Sequence, residues 1–263
     1  MIVYYSAATI LAVINLIILI FTFENKKVNY FFSMLILVMA ISNGGYLAIS
    51  ISSTAETAML ANKVAYLGGC FTSPIMISLI CCICNYRINK WVRLAMYSYC
   101  LVVYGMILTT EYNFLYYTEY HIEKLWDSTI LVNEYGPGHN LFYLILYGTI
   151  IIQLALLIYS LVRKRSVSRK NIIMLIALEL FNVSSFFIVR LIHPDFEIMP
   201  ALYVLDGWIL LYVHRRARIY NVEENVSASF QKHHTNGYIM FDNRLNYLGC
   251  NKLAEDVFPK LKE

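Results

Sequence analysis

Seven stretches of the chain are apolar almost without a break, at residues 3–23, 30–50, 64–85, 94–110, 141–162, 171–192 and 198–213, and polar or charged residues bound each of them. A helix needs about 20 apolar residues to cross a bilayer, or slightly fewer where interfacial residues help. The pattern therefore predicts seven transmembrane helices. Past the last run, Ile219, Val222, Val226 and Phe230 recur at spacings of three and four among polar residues. That is the stripe of a helix seeking a partner helix. The pattern predicts a linker helix that pairs with its copy in a homodimer.

The polar connections divide by charge. Those at 24–29, 86–93, 162–170 and 214–218 hold thirteen lysines and arginines, whereas the opposite side holds three, Lys63, Lys124 and Arg190. Basic loops remain in the cytoplasm. The N-terminus is thus expected outside and the C-terminus in the cytoplasm of a multi-pass plasma-membrane protein.

The connection 111–139 is far longer than a link between two helices requires. Long loops in compact proteins are usually functional or disordered. Its aromatics, among them Tyr112, Tyr116, Tyr117, Trp126 and Tyr135, argue against disorder, and runs at 115–122 and 128–134 alternate as a hairpin would before Gly136-Pro137-Gly138. A folded lid over the outer mouth is one expectation. A hairpin that merely caps the bundle in the headgroup belt is the other, because Tyr and Trp favour that belt.

Composition narrows the class. Hydrophobic residues make up 59% and charged residues 14% of the 263 residues, too apolar for a water-soluble fold of this length. The first apolar run has no basic segment before it and no small-residue cleavage site after it, so it is expected to stay rather than be removed as a signal peptide. Five of six cysteines fall inside apolar runs, and the Cys81-Cys82-x-Cys84 cluster is expected to pack as small hydrophobes. The expectation is no metal, no cofactor and no nucleic-acid partner. The lipid bilayer is the surrounding partner.

Charged residues within apolar runs are the candidates for function. Glu179 lies eight residues from the inner start of the sixth run and Asp206 a similar distance from the inner end of the seventh. At a rise of 1.5 Å per residue both sit about 12 Å deep. Two carboxylates close together in low dielectric do not both ionise cheaply, so the pair is expected to share a proton or a cation and to act as a switch. Hydrogen bonding to neighbours, with a packing role only, is the plainer alternative. Lys63 and Arg190, near the outer ends of their runs, either reach out to water or form a basic rim for a small anionic ligand, with Trp126 in the loop as a further contact. The ligand itself is not named by the sequence.

After the linker, residues 237–242 and 245–249 read as two short strands around Asn243-Arg244, and 251–258 as an amphipathic helix capped by Asn251. About 30 residues are too few for an independent core. A soluble domain is expected to start here and to continue beyond the chain. Asn225-Val226-Ser227 forms a glycosylation sequon on the cytoplasmic side, where it is inert, and His233-His234 reads as solvated linker.

The stretch Ala61-Asn62-Lys63-Val64-Ala65-Tyr66-Leu67-Gly68, with Pro74, Tyr135-Gly136-Pro137 and the Asp206-Gly207 run, resembles the seven-transmembrane N-terminal region of bacterial histidine kinases. The tail GYIMFDNRLNYLGCNKLAEDVF is similar to the opening of a PAS domain. These resemblances imply an all-α membrane bundle over residues 1–218, a linker helix over 219–234 and the start of an α+β PAS-like domain over 235–263. They imply a sensory receptor whose output, a histidine kinase or a diguanylate cyclase, would follow. The fragment has no phospho-acceptor motif, nucleotide box or cyclase signature, so no catalytic site is expected in it. A small transporter or intramembrane enzyme using Glu179 and Asp206 is the rival from another class, but seven runs do not divide into equal inverted repeats. A retinal protein is excluded, since the seventh run lacks a lysine for the Schiff base.

Overall fold

Capping residues set where the third and fourth helices begin, ahead of their apolar runs. The computed structural model describes residues 1–23, 30–84, 86–163, 169–219, 237–241, 247–250 and 252–258. Among these residues seven long helices occur: α1 (Ile2–Phe23), α2 (Tyr30–Ile51), α3 (Ala55–Ile83), α4 (Lys90–Leu108), α5 (His139–Arg163), α6 (Arg169–Ile192) and α7 (Met199–Ile219). The third starts nine residues before its apolar run. Thr54 is its cap, accepting from the Thr57 N–H at 3.2 Å, while the Thr57 hydroxyl accepts from the Thr54 N–H at 3.3 Å. Polar residues tolerate these first turns because each finds a partner: Asn62 donates to the Tyr117 hydroxyl at 3.2 Å, and Lys63 pairs with Glu111 at 2.7 Å. Asn89 likewise caps α4 through the Trp91 N–H and moves its start ahead of the expected Leu94.

Among the described residues six helices, α1 to α6, are long and apolar enough to cross a membrane. Asp206 and the arginines at its end keep α7 out of that set. The chain is a multi-pass membrane protein. α3 continues without interruption through Pro74, whose carbonyl accepts from the Ser78 hydroxyl at 3.0 Å.

Close approach of α2 and α3 depends on glycine. A Cβ at Gly45 would lie 2.4 Å from the backbone nitrogen of Ala65, and one at Gly68 would lie 2.4 Å from the Ser42 hydroxyl. Ser42 itself donates to the Ala65 carbonyl at 2.6 Å. Helices in lipid gain little from apolar burial against one another, so such small-residue contacts and short hydrogen bonds hold the pair. The larger core joins Phe32, Leu35 and Ile36 of α2 to Ile75, Leu79 and Ile80 of α3, Leu157 of α5, Ile172 and Leu175 of α6, and Leu210 and Val213 of α7.

A second core lies under the long connection, where Met59 and Cys70 of α3, Cys100, Val103 and Ile107 of α4 and Ile145 of α5 meet Tyr116 and Tyr117. The connection is a hairpin, β1 (Tyr117–Leu125) paired antiparallel with β2 (Ser128–Tyr135). The second strand lies as expected; the first starts two residues later, at Tyr117. The turn Trp126-Asp127 places Trp126 at φ 55°, a conformation that favours glycine and costs a bulky residue on the order of 1–3 kcal/mol. The hairpin is anchored on the helix ends beneath it. Thr129 donates to the Ser52 carbonyl at 2.7 Å, and Asp127 meets the Met1 ammonium at 2.6 Å, which lowers its carboxyl below the usual range.

Beyond the bundle, β3 (Ile239–Phe241) pairs antiparallel with β4 (Tyr247–Cys250), and α8 (Lys252–Val257) follows. The strand-strand-helix order is the expected one. Val222, Val226, Phe230, His233 and His234 lie outside the described residues, and of Ile219 only the helical backbone is described.

Candidate functional site

Polar side chains from three helices converge on α7. Asn15 of α1, 2% exposed, donates to the Val204 carbonyl at 3.1 Å. Asn43 of α2, 1% exposed, donates to the Pro200 carbonyl at 3.2 Å and to the Ala8 carbonyl at 3.4 Å. Asn182 of α6 donates to the Asp206 carboxyl at 2.8 Å. Each bond reaches a different level of α7, so the helix is held from three sides by amides that have no water to replace them. Interhelical bonds of this kind average about 0.6 kcal/mol apiece. They fix position more than they add stability.

Asp206 is buried, and Glu179, half-buried on the turn of α6 that precedes Asn182, acts on it electrostatically. The structure thus sets Glu179 within electrostatic reach of Asp206. It also supplies Asn182, the direct partner, which sequence reasoning missed. The signal was present: Asn182 follows Glu179 by three residues, the spacing of one helix face. The side-chain oxygens of all three asparagines, Oδ1 of Asn15, Asn43 and Asn182, remain buried without a hydrogen-bond donor. A narrow crevice lined by Ala12, Asn15, Ile36, Met39, Ala40, Tyr203 and Gly207 runs beside Asn15. Gly207 leaves room for the Asn15 amide, which a Cβ there would displace, lying 2.3 Å from its nitrogen.

The basic candidates part company. Lys63 is buried and engaged by Glu111, and its helix is tied to α4 by a bond from the Tyr104 hydroxyl to the Lys63 carbonyl at 3.2 Å. Its counter-charge lies forty-eight residues along the chain. Arg190 is exposed and faces Tyr135, with Tyr143 and Glu197 also acting on it. Glu197 lies between α6 and α7, where burial raises its carboxyl above the ordinary range although the Met199 N–H donates to it at 3.2 Å. Trp126, 80% exposed at the hairpin tip, is remote from Arg190, which sits by the hairpin root. The structure does not assemble Lys63, Arg190 and Trp126 into one site.

A second polar centre was missed altogether. His139, 4% exposed, begins α5 and is enclosed by aromatic rings: Tyr135 stacked at 3.9 Å, Tyr143 at 4.6 Å, Tyr116 at 5.0 Å and Phe142 at 5.6 Å. Burial pushes the hydroxyls of Tyr116 and Tyr117 far above the tyrosine range, so both remain neutral phenols. A histidine next to a glycine turn gives no sign in the sequence that it is covered.

A bundle of apolar helices whose last member carries one buried carboxyl, Asp206, and whose long connection folds as a hairpin defines a multi-pass membrane protein. The chain belongs to the family described as the N-terminal 7TM region of histidine kinase, whose sequence model matches residues 7–222. It is a membrane-embedded sensory module. No curated protein and no solved structure matches the chain.

Proposed function

We propose that this chain is the sensory input module of a bacterial signal-transduction receptor of the histidine kinase or diguanylate cyclase type. In this reading residues 1–218 are the sensor, 219–234 the linker helix and 235–263 the start of a PAS-like domain. The stimulus arrives from outside or within the bilayer, and α7 carries it to the linker. One observation carries the reading: α7 runs as a single helix from the buried Asp206 through His214-Arg215-Arg216 to Ile219, so displacement of its polar contacts moves the chain that enters the linker. Hinges and helix shifts of this kind are established means of switching. The transporter reading lacks such support.

The orientation follows from the charge count, with the hairpin outside. Single cysteines at Ser53 and Ser166 in a cysteine-free background are expected to react with an impermeant thiol reagent on intact cells only at Ser53. Reaction at Ser166 alone reverses the topology.

The linker is proposed to be a parallel homodimer contact through Ile219, Val222, Val226 and Phe230, because a stripe so narrow cannot build a core by itself. Cysteines at Val222 and Val226 are expected to crosslink between copies in membranes, and a cysteine at Glu224 is not. Equal crosslinking at all three positions removes the ordered interface and, with it, this route to the output.

A further inference from the structure

The signalling route above makes no use of His139, yet both arms of the hairpin close on it. Tyr116 packs on the imidazole from the entering arm and Tyr135 from the leaving arm. The root is drawn tight by backbone bonds, Gly136 N–H to the Tyr116 carbonyl at 2.8 Å and Gly138 N–H to the Leu115 carbonyl at 2.7 Å. Neither glycine leaves slack, since a Cβ would come within 2.5 Å of the Leu115 oxygen at Gly136 and 2.8 Å at Gly138. Within this enclosure Nδ1 of His139 is buried without a hydrogen-bond partner.

A neutral imidazole fits such a site as a flat ring with one unmet nitrogen. An imidazolium does not fit, because both nitrogens then carry N–H donors and the ring carries a charge that must be solvated or paired. The titratable groups facing it are Tyr116 and Tyr135 of the hairpin, Tyr143 of its own helix and Arg190 of α6, with Tyr66 of α3 behind Tyr116 and Tyr99 of α4 bonded to the nearby Leu141 carbonyl at 3.0 Å. Among the described residues the one charged group acting on it is Arg190, a cation. Uptake of a proton and closure of the root therefore exclude one another. Relief lies with Tyr135, a residue 44% exposed and the most exposed of the rings that cover the imidazole.

We propose that His139 is a proton-binding site at the root of the hairpin, and that acidity on the hairpin side is a stimulus of this module. The proposal rests on the sensory reading above and names its ligand. Protonation displaces Tyr135 and frees the root from α5. From there contact continues along the bundle through Tyr143 and Tyr147, whose ring is parallel to Phe187 of α6, the helix that carries Asn182 and Glu179.

The test is amide hydrogen exchange of the chain in lipid nanodiscs between about pH 8 and pH 5, corrected for intrinsic rates and read at residues 112–119 and 131–141. Exchange at the root is expected to rise severalfold on acidification. His139→Gln keeps size and polarity but cannot take the charge, so the rise is expected to vanish. Arg190→Gln, which leaves the imidazole in place, is expected to let the root open at a less acidic pH. An unchanged root in the natural chain, or the same rise in His139→Gln, overturns the proposal. A full-length receptor gives the separate reading: if the root opens with acid through His139 while output ignores external pH, the proton site stands and the sensory role falls.

Discussion

Gly45→Val is expected to prevent assembly of the bundle, while Gly44→Ala, one residue away, is expected to leave it unchanged. At Gly45 the added carbon meets backbone, the Ala65 nitrogen at 2.4 Å and its Cα at 2.8 Å, and backbone within a helix cannot turn aside as a side chain can. At Gly44 nothing lies within 4 Å. Overpacking a core costs about 1–3 kcal/mol even where side chains yield, and valine adds two further carbons. Separation of α2 from α3 would also break the Ser42 bond to Ala65 and loosen the seat of Asn43 against α7. The measurement is monodisperse yield and melting temperature in detergent, with both variants expressed side by side. Similar behaviour of the two would contradict the close approach.

Asp206→Asn is expected to leave that assembly intact and to fix the output of the full-length receptor at one level. The substitution preserves shape and keeps a hydrogen-bonding group opposite Asn182, whose amide nitrogen donates to Asp206 at 2.8 Å. It removes the ability to change charge beside Glu179. Ordinary allosteric couplings amount to about 1–3 kcal/mol, a factor of roughly 5–150 in a coupled equilibrium. That ratio is expected to collapse towards one. Autophosphorylation or cyclase activity of the full-length protein, compared with and without stimulus across pH, is the check. Normal responsiveness would leave Asp206 a packing role only. Asp206→Leu serves as the contrast, because it strips the Asn182 amide of its acceptor and should lower stability as well as output.

The amino-acid sequence by itself determined the class of molecule. Long apolar runs, the basic residues on alternate connections and the Gly136-Pro137-Gly138 turn are local signals, and local rules read them: hydrocarbon thickness sets helix length and turn chemistry sets the hairpin. Glu179 and Asp206 also stood out, because a carboxyl in an apolar run needs a reason. What the sequence could not provide is the face of each helix. In water an amphipathic helix declares its buried side, but lipid and protein interior are equally apolar, so periodicity along a transmembrane helix carries little information. Tertiary structure alone decided that Gly45 rather than Gly44 meets α3, and that Lys63 answers to Glu111. It also chose Asn182 as the partner of Asp206 and closed the hairpin over His139. Each of these joins residues between 20 and 48 apart, or packs one ring against four others, and such contacts are settled only when whole helices and the hairpin are placed side by side.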